Sequence, residues 1–174
     1  MTVDWARWCL FEILPLILTI TFTHLTISGG QTLMHRWLGH RRIGGALFRN
    51  HIRFHHARYV RGRLVATADP GKEGNNTPFF LIPVFLVAAV LFFILPRGLF
   101  IAMALAGAAS FYAHVHFDKA YHVEGAYLGR FAWFRRKQQL HFVHHLHADS
   151  NFAVIDFFWD RVFRTYRKAE QIIS

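Results

Sequence analysis

The chain has 174 residues, enough for one domain, but 53% of them are hydrophobic and 17% aromatic, with 19 Phe, beside a net charge of +10. Apolarity combined with basicity implies segregation, with apolar blocks in lipid and basic blocks at its surface, and the bilayer-length apolar runs argue against a nucleic-acid binder. The single cysteine, Cys9, excludes an intrachain disulfide and a thiolate zinc cage, and in its apolar run it reads as a small buried hydrophobe.

In chain order, the first predicted element is an apolar helix over residues 8–27. It lacks a clear small-x-small cleavage site and so reads as a retained membrane helix rather than a signal peptide. Glu12 and His24 interrupt its apolarity, which predicts that one side faces protein; His24 itself reads as a core or surface residue. A second span is expected at residues 79–95 and a third at 99–114, joined by Pro96-Arg97-Gly98 as a helical hairpin. Residues 29–77 carry nine Lys/Arg against two acids, and residues 117–174 carry nine more. One crossing precedes the first basic segment and three precede the second, so both lie on one side, which the positive-inside rule makes the cytoplasm; the N-terminus then faces outward. The predicted fold is an all-α integral membrane protein, one domain over 1–174, with three spans and a cytoplasmic helical cap. Gly44-Gly45 predicts a break, and Pro70-Gly71 with Gly74-Asn75-Asn76 predicts a loop leading into the second span. Residues 152–166 are aromatic and amphipathic, suited to a helix that lies in the interface or packs over a site.

With the end of the third span, the two basic segments hold twelve of the 13 histidines. His141, His144 and His145 are spaced i, i+3, i+4 and share one face of a helix. Neutral imidazole is the commonest metal-binding side chain. His51 and His55, at i, i+4, also share a helical face, with His56 beside them. His35 and His40, at i, i+5, lie about 140° apart on an α-helix; they converge only at a helix end or across a π-bulge. His116 and His122, at i, i+6, need a break near Asp118-Lys119. These ten are the candidate metal ligands, too many for one ion and suited to two, each with four or five nitrogens. His114 and His147 are open between ligand, outer partner and no role. A haem cytochrome would place paired histidines within the spans, and an intramembrane zinc protease needs an H-E-x-x-H helix that is absent. A metal transporter or sensor using the same clusters, or a non-catalytic protein, is the alternative to an enzyme.

The ordered set HRWLGH (35–40), HIRFHH (51–56), GNNTPFF (74–80), HFVHH (141–145) and WDRVFRT (159–165) resembles the fatty acid hydroxylase/sterol desaturase superfamily of integral membrane di-metal oxygenases. Two departures stand out: the superfamily's third cluster is usually His-x3-His, and Arg164 occupies a position where Gly is usual. The resemblance implies two iron ions, O2 as co-substrate, and hydroxylation or desaturation of a lipid C–H bond. It also implies a separate electron donor, cytochrome b5-like or ferredoxin-like, since the chain has no fused electron-transfer domain. Asp149 and Asp160 are then candidate acceptors orienting the ligand N–H groups, with an Asp160–Arg164 surface pair as the alternative. Phe131, Trp133 and Phe134 would line or anchor the substrate region, and Arg135, Arg136 and Lys137 are either ordinary positive-inside residues or would meet lipid phosphates or an acidic donor.

Overall fold

A computed structural model describes residues 9–68 and 76–169; residues 1–8, which include the first residue of the first predicted span, and the Pro70–Asn75 loop signals lie outside them, as does the side chain of Cys9. The described residues are helical, with two isolated β-bridges and no strand. Helix α1 runs Leu14–Met34, α2 Ala46–Asn50, α3 Thr77–Ile94, α4 Arg97–Tyr121, α5 Ala132–Leu146 and α6 Phe158–Val162. π-helical turns precede α1 (Cys9–Ile13), continue it (His35–Gly39) and continue α2 (His51–His56). Two helical stretches, Leu10–Gly39 and Arg97–Tyr121, are long and apolar enough to cross a membrane, and Pro78–Ile94 is a shorter apolar helix. α3 and α4 meet at Leu95-Pro96 as the expected hairpin, because the extended backbone at both residues lets Pro96 start a new helix.

Both long helices exceed their sequence-read limits, and for one reason. The spans were bounded by hydropathy, yet the helical backbone continues past the apolar run into the polar site, to Gly39 in one case and to Tyr121 in the other. α1 packs along α4 with its small residues inward; Thr23 faces Gly107, where an added Cβ would only make ordinary contact. His24 holds this pair to the C-terminal segment, its Nδ1 2.8 Å from Ser110 Oγ on α4 and its Nε2 2.9 Å from Asp156 Oδ2. The half-polar first helix therefore does face protein, and His24 is the polar bridge rather than a bland core residue.

A small core clusters beneath the site: Ala120, Tyr121, Phe134 and Val154 in one group, and Leu140, Ala153 and Phe157 in another. Phe134 is thus a core residue rather than part of a substrate lining, while Trp133 is 48% exposed. Residues 152–166 do not form one amphipathic helix; only Phe158–Val162 is helical, and Phe152–Ile155 run buried over the site. Trp159 closes this tail onto α1. Its Nε1–H donates to Ser28 Oγ at 3.0 Å, and its ring lies where a Cβ on Gly29 would come within 2.9 Å.

Candidate metal centre

The π turns place the histidines. A residue five positions along a π-helix returns close to the same side, which an α-helix does not allow. Through His35–Gly39 this brings His35 and His40 together, their Nε2 atoms 3.3 Å apart. Through His51–His56 it brings His51 and His56 together, Nε2 to Nε2 3.0 Å. The same winding corrects the expected His51–His55 face: His55 turns to the other side and joins a different set, although the two rings still stack at 5.1 Å. Gly39 makes room, since a Cβ there would stand 3.1 Å from the His35 ring and 3.4 Å from the His51 ring.

Nine Nε2 atoms converge in two adjoining sets. His35, His40, His51, His56 and His144 form one; His55, His122, His141 and His145 form the other. In the first set, His35–His51 is 2.8 Å, His40–His51 3.0 Å, and His40–His144 and His56–His144 both 3.1 Å. In the second, His122–His141 is 2.9 Å, His55–His145 3.0 Å and His141–His145 3.2 Å. The sets abut where His56 stacks on His145, ring centroids 4.4 Å apart.

These spacings are those of donors around a cation. With metal–nitrogen bonds of about 2.1 Å, neighbouring octahedral donors stand about 3.0 Å apart and opposite ones about 4.2 Å. The outer nitrogens show which form each ring takes. Nδ1–H of His35 donates to the Phe152 carbonyl at 2.5 Å, that of His144 to Ser150 at 2.7 Å, that of His122 to Leu64 at 2.7 Å and that of His145 to Tyr59 at 3.0 Å. A proton held at Nδ1 leaves Nε2 a bare lone pair. Lone pairs packed at these distances repel unless a positive ion lies among them, so the donor set fits two bound metal ions. Burial, and the histidines' effect on one another, pushes His51, His141, His144 and His145 well below the ordinary histidine range and His40 and His56 down to about 2. All six therefore stay neutral and able to bind a cation at physiological pH.

The shell beyond the rings is largely backbone, which sequence patterns do not display. Segment 64–66 reaches His122 through a single parallel bridge, with Ala66 N–H donating to His122 O at 2.8 Å and Glu124 N–H to Ala66 O at 2.9 Å. Tyr59 stacks flat on the His122 ring, centroids 3.7 Å apart. Asn151, at φ 52°, turns the chain so that Ser150 and Phe152 both present carbonyls to the site, and its side chain is held by Leu140 and Arg167. Asp160 is fully buried but touches no histidine. It accepts from the backbone N–H of Phe152 at 2.7 Å and of Ala153 at 3.0 Å and from Thr165 Oγ1 at 2.7 Å. Burial raises its pKa while those three donors pull against the rise. Its role is one step further out than expected, fixing the strand of chain whose carbonyl fixes His35, and this takes the place of the surface pair with Arg164.

Four other sequence candidates fall outside both sets. His116 is exposed and stacks on Tyr112 at 5.7 Å. The break that would have turned it inward does not exist: α4 runs unbroken to Tyr121, so residues six apart point to different sides, and only His122, at the helix end, enters the site. His114 packs near Phe80, centroids 6.0 Å apart. His147 caps α5 and its carbonyl accepts from Ser150. Asp149 is exposed. One residue that sequence reasoning passed over comes close: Asp118 Oδ1 is 3.6 Å from His141 Nε2, and its signal was the i, i+4 spacing to His122.

Two apolar helices that are candidate membrane spans thus end at a buried cluster of imidazoles that could hold metal ions. The fatty acid hydroxylase family model matches residues 9–165, and the chain belongs to the fatty acid hydroxylase family. Membership points to a metal-dependent oxidoreductase. No curated protein and no solved structure matches the chain.

Proposed function

We propose that the chain is a membrane oxidoreductase that hydroxylates or desaturates a lipid C–H bond with O2 at a di-iron centre on the cytoplasmic face. The observation that carries this reading is the convergence of nine Nε2 atoms in two sets, with four of the rings locked into the metal-binding form by backbone carbonyls. When bound, two iron ions supply the single-electron steps by which O2 becomes able to attack an unactivated C–H bond.

The chain's own residues hold and shelter the ions. His35, His40, His51, His56 and His144 hold one, and His55, His122, His141 and His145 the other. The Phe152 ring covers the five-histidine set, 5.8 Å from His35, 5.3 Å from His40 and 5.4 Å from His144, and limits water there. The site lies where Leu10–Gly39 and Arg97–Tyr121 both end, so a lipid chain between the spans would approach it from the membrane side. With three crossings, the eighteen Lys/Arg of the two polar segments share one face, the cytoplasm. Arg136 and Lys137 border a cavity of about 520 Å³ with Trp133 and Phe158, a setting suited to lipid phosphate. Electrons come from a separate donor, cytochrome b5-like or ferredoxin-like.

Metal analysis and an absorption spectrum of the purified protein test this reading. Two irons per chain with no haem band, and loss of both activity and metal in His144→Ala, are expected. A haem spectrum, a metal-free protein, or full activity in His144→Ala would sink it.

A further inference from the structure

The cavity bordered by Arg136 and Lys137 also has Asp156 and Trp133 in its wall, so its charge is mixed. Another cavity, of about 410 Å³, is lined by Arg53, Arg58 and Arg63 together with Tyr59 and Ala66, and no acid lines it. Histidine aside, every charged residue between Glu12 and Asp69 is an arginine, so the segment that builds this cavity carries charge of one sign. Its rim is a tight turn. Gly62, at φ 81°, lets Arg63 N–H donate to Val60 O at 2.8 Å, and Arg63 Nε–H donates to Arg58 O at 3.2 Å. Only one layer of residues separates the cavity from the four-histidine set. Tyr59 lines the cavity and also stacks flat on His122, ring centroids 3.7 Å apart, while its carbonyl accepts from His145 Nδ1–H at 3.0 Å. Ala66, in the same wall, donates its N–H to His122 O at 2.8 Å. This contact lies past the end of α4 at Tyr121, beyond the apolar run of the span.

Oxidation of a C–H bond by O2 takes up electrons from outside the substrate. Hydroxylation joins one oxygen atom to carbon and releases the other as water, consuming two electrons and two protons. Desaturation turns both oxygen atoms into water and again consumes two electrons and two protons. A donor must bring its redox group near the histidines, because electron transfer falls steeply with distance. We propose that the cavity of Arg53, Arg58 and Arg63 is the docking site for the acidic face of a soluble electron-donor protein, and that electrons enter the four-histidine set there. The inference deepens the oxidoreductase reading above and rests on it. Each encounter oxidises the donor by one electron and reduces bound iron by one, so two encounters serve one turnover. Guanidinium forks match carboxylates in geometry and charge. Phe54 and Val65, both in the wall and both exposed, add apolar contact beside the arginines, the mixture found at protein interfaces. Redox contacts of this kind are small and steered by charge.

The test uses the full-length, iron-loaded protein in nanodiscs of zwitterionic lipid. Its oxidised form is mixed, without O2, with the reduced soluble domain of a cytochrome b5 or with a reduced plant-type ferredoxin. The second-order rate of donor oxidation is read, for whichever donor reacts faster, over a range of salt. The double variant Arg53→Glu/Arg63→Glu should slow that rate at least about tenfold at low salt, and the gap to wild type should close at high salt. Iron content should stay as in wild type, and so should reduction by photoreduced deazaflavin, which is small, uncharged and needs no docking. Arg97→Glu, in the hairpin turn at the other end of α4, should keep the wild-type donor rate. An unchanged donor rate in the double variant would overturn the proposal. So would an equal loss with deazaflavin or in Arg97→Glu, or a wild type that deazaflavin reduces and neither donor does. Loss of binding to anionic phospholipid vesicles, with the donor rate intact, would assign the cavity to the membrane surface and overturn it too. A wild type that holds no iron, or whose iron no reductant reduces, removes the oxidoreductase reading itself, and this inference with it.

Discussion

Arg164 sits at φ 57°, a left-handed backbone that brings a side chain's Cβ against the following carbonyl. The family's usual glycine there has a plain physical cause, and this chain bears the strain instead. Arg164→Gly should raise stability by about 0.5–1 kcal/mol, the strain relieved less the added freedom of the unfolded chain, as read from denaturant melts. Two histidines six residues apart, on α4 and at its C-terminal cap, make a sharper contrast. His116 is exposed on a continuous helix while His122 is buried with Nε2 2.9 Å from His141. His116→Ala should keep the full metal content, and His122→Ala should lose the ion of the four-histidine set. Metal analysis of the two variants checks this, and a loss of metal in His116→Ala would mean that α4 bends in a way the structure does not show.

The elements owe their positions to close approaches that only small residues permit. Gly29 is the clearest, because the Trp159 ring occupies the space of a Cβ. Gly29→Ala should push the indole off α1, break its bond to Ser28 and cost about 1–3 kcal/mol by overpacking. The tail carries Asp160, whose bonds fix Phe152 and thereby His35, so metal content should fall along with the melting temperature. Much of this scale was legible in the sequence. Hydropathy marks the hairpin at Pro96, and the i, i+3, i+4 spacing marks the face of α5 that enters the site. The i, i+5 pair His35 and His40 needed either a helix end or a π turn to converge, and a π turn is there. What was not legible has a common physical origin. Carbonyls of Tyr59, Leu64, Ser150 and Phe152 orient four histidines, and a carbonyl belongs to every residue alike. The division of His51, His55 and His56 between two sets follows from helical winding, which residue spacing alone leaves undetermined. His122 was legible, but its pairing with His116 fails, because the helix continues where His116 needed it to break.

At the scale of the whole molecule, so many buried neutral imidazoles tie stability to pH. In the unfolded chain each titrates near 6.5, whereas in the fold burial and mutual repulsion hold His40, His51, His56, His141, His144 and His145 far lower. Above pH 7 neither state binds these protons, so stability is flat. As pH falls through 6.5 the unfolded chain takes up protons that the folded chain refuses, and stability drops with pH, by up to about 1.4 kcal/mol per pH unit for each such histidine. Bound metal raises the whole profile without changing its slope, because the folded histidines already refuse those protons. Melting temperatures taken from pH 8 to pH 5, before and after chelation, should therefore show a plateau above pH 7 and a steep fall below about 6.5. The chelated protein should lie lower throughout and begin its fall at the same pH. A chelated protein with a flat profile across that window would show that the histidines are solvated, and with them the metal centre's low-dielectric setting would be lost.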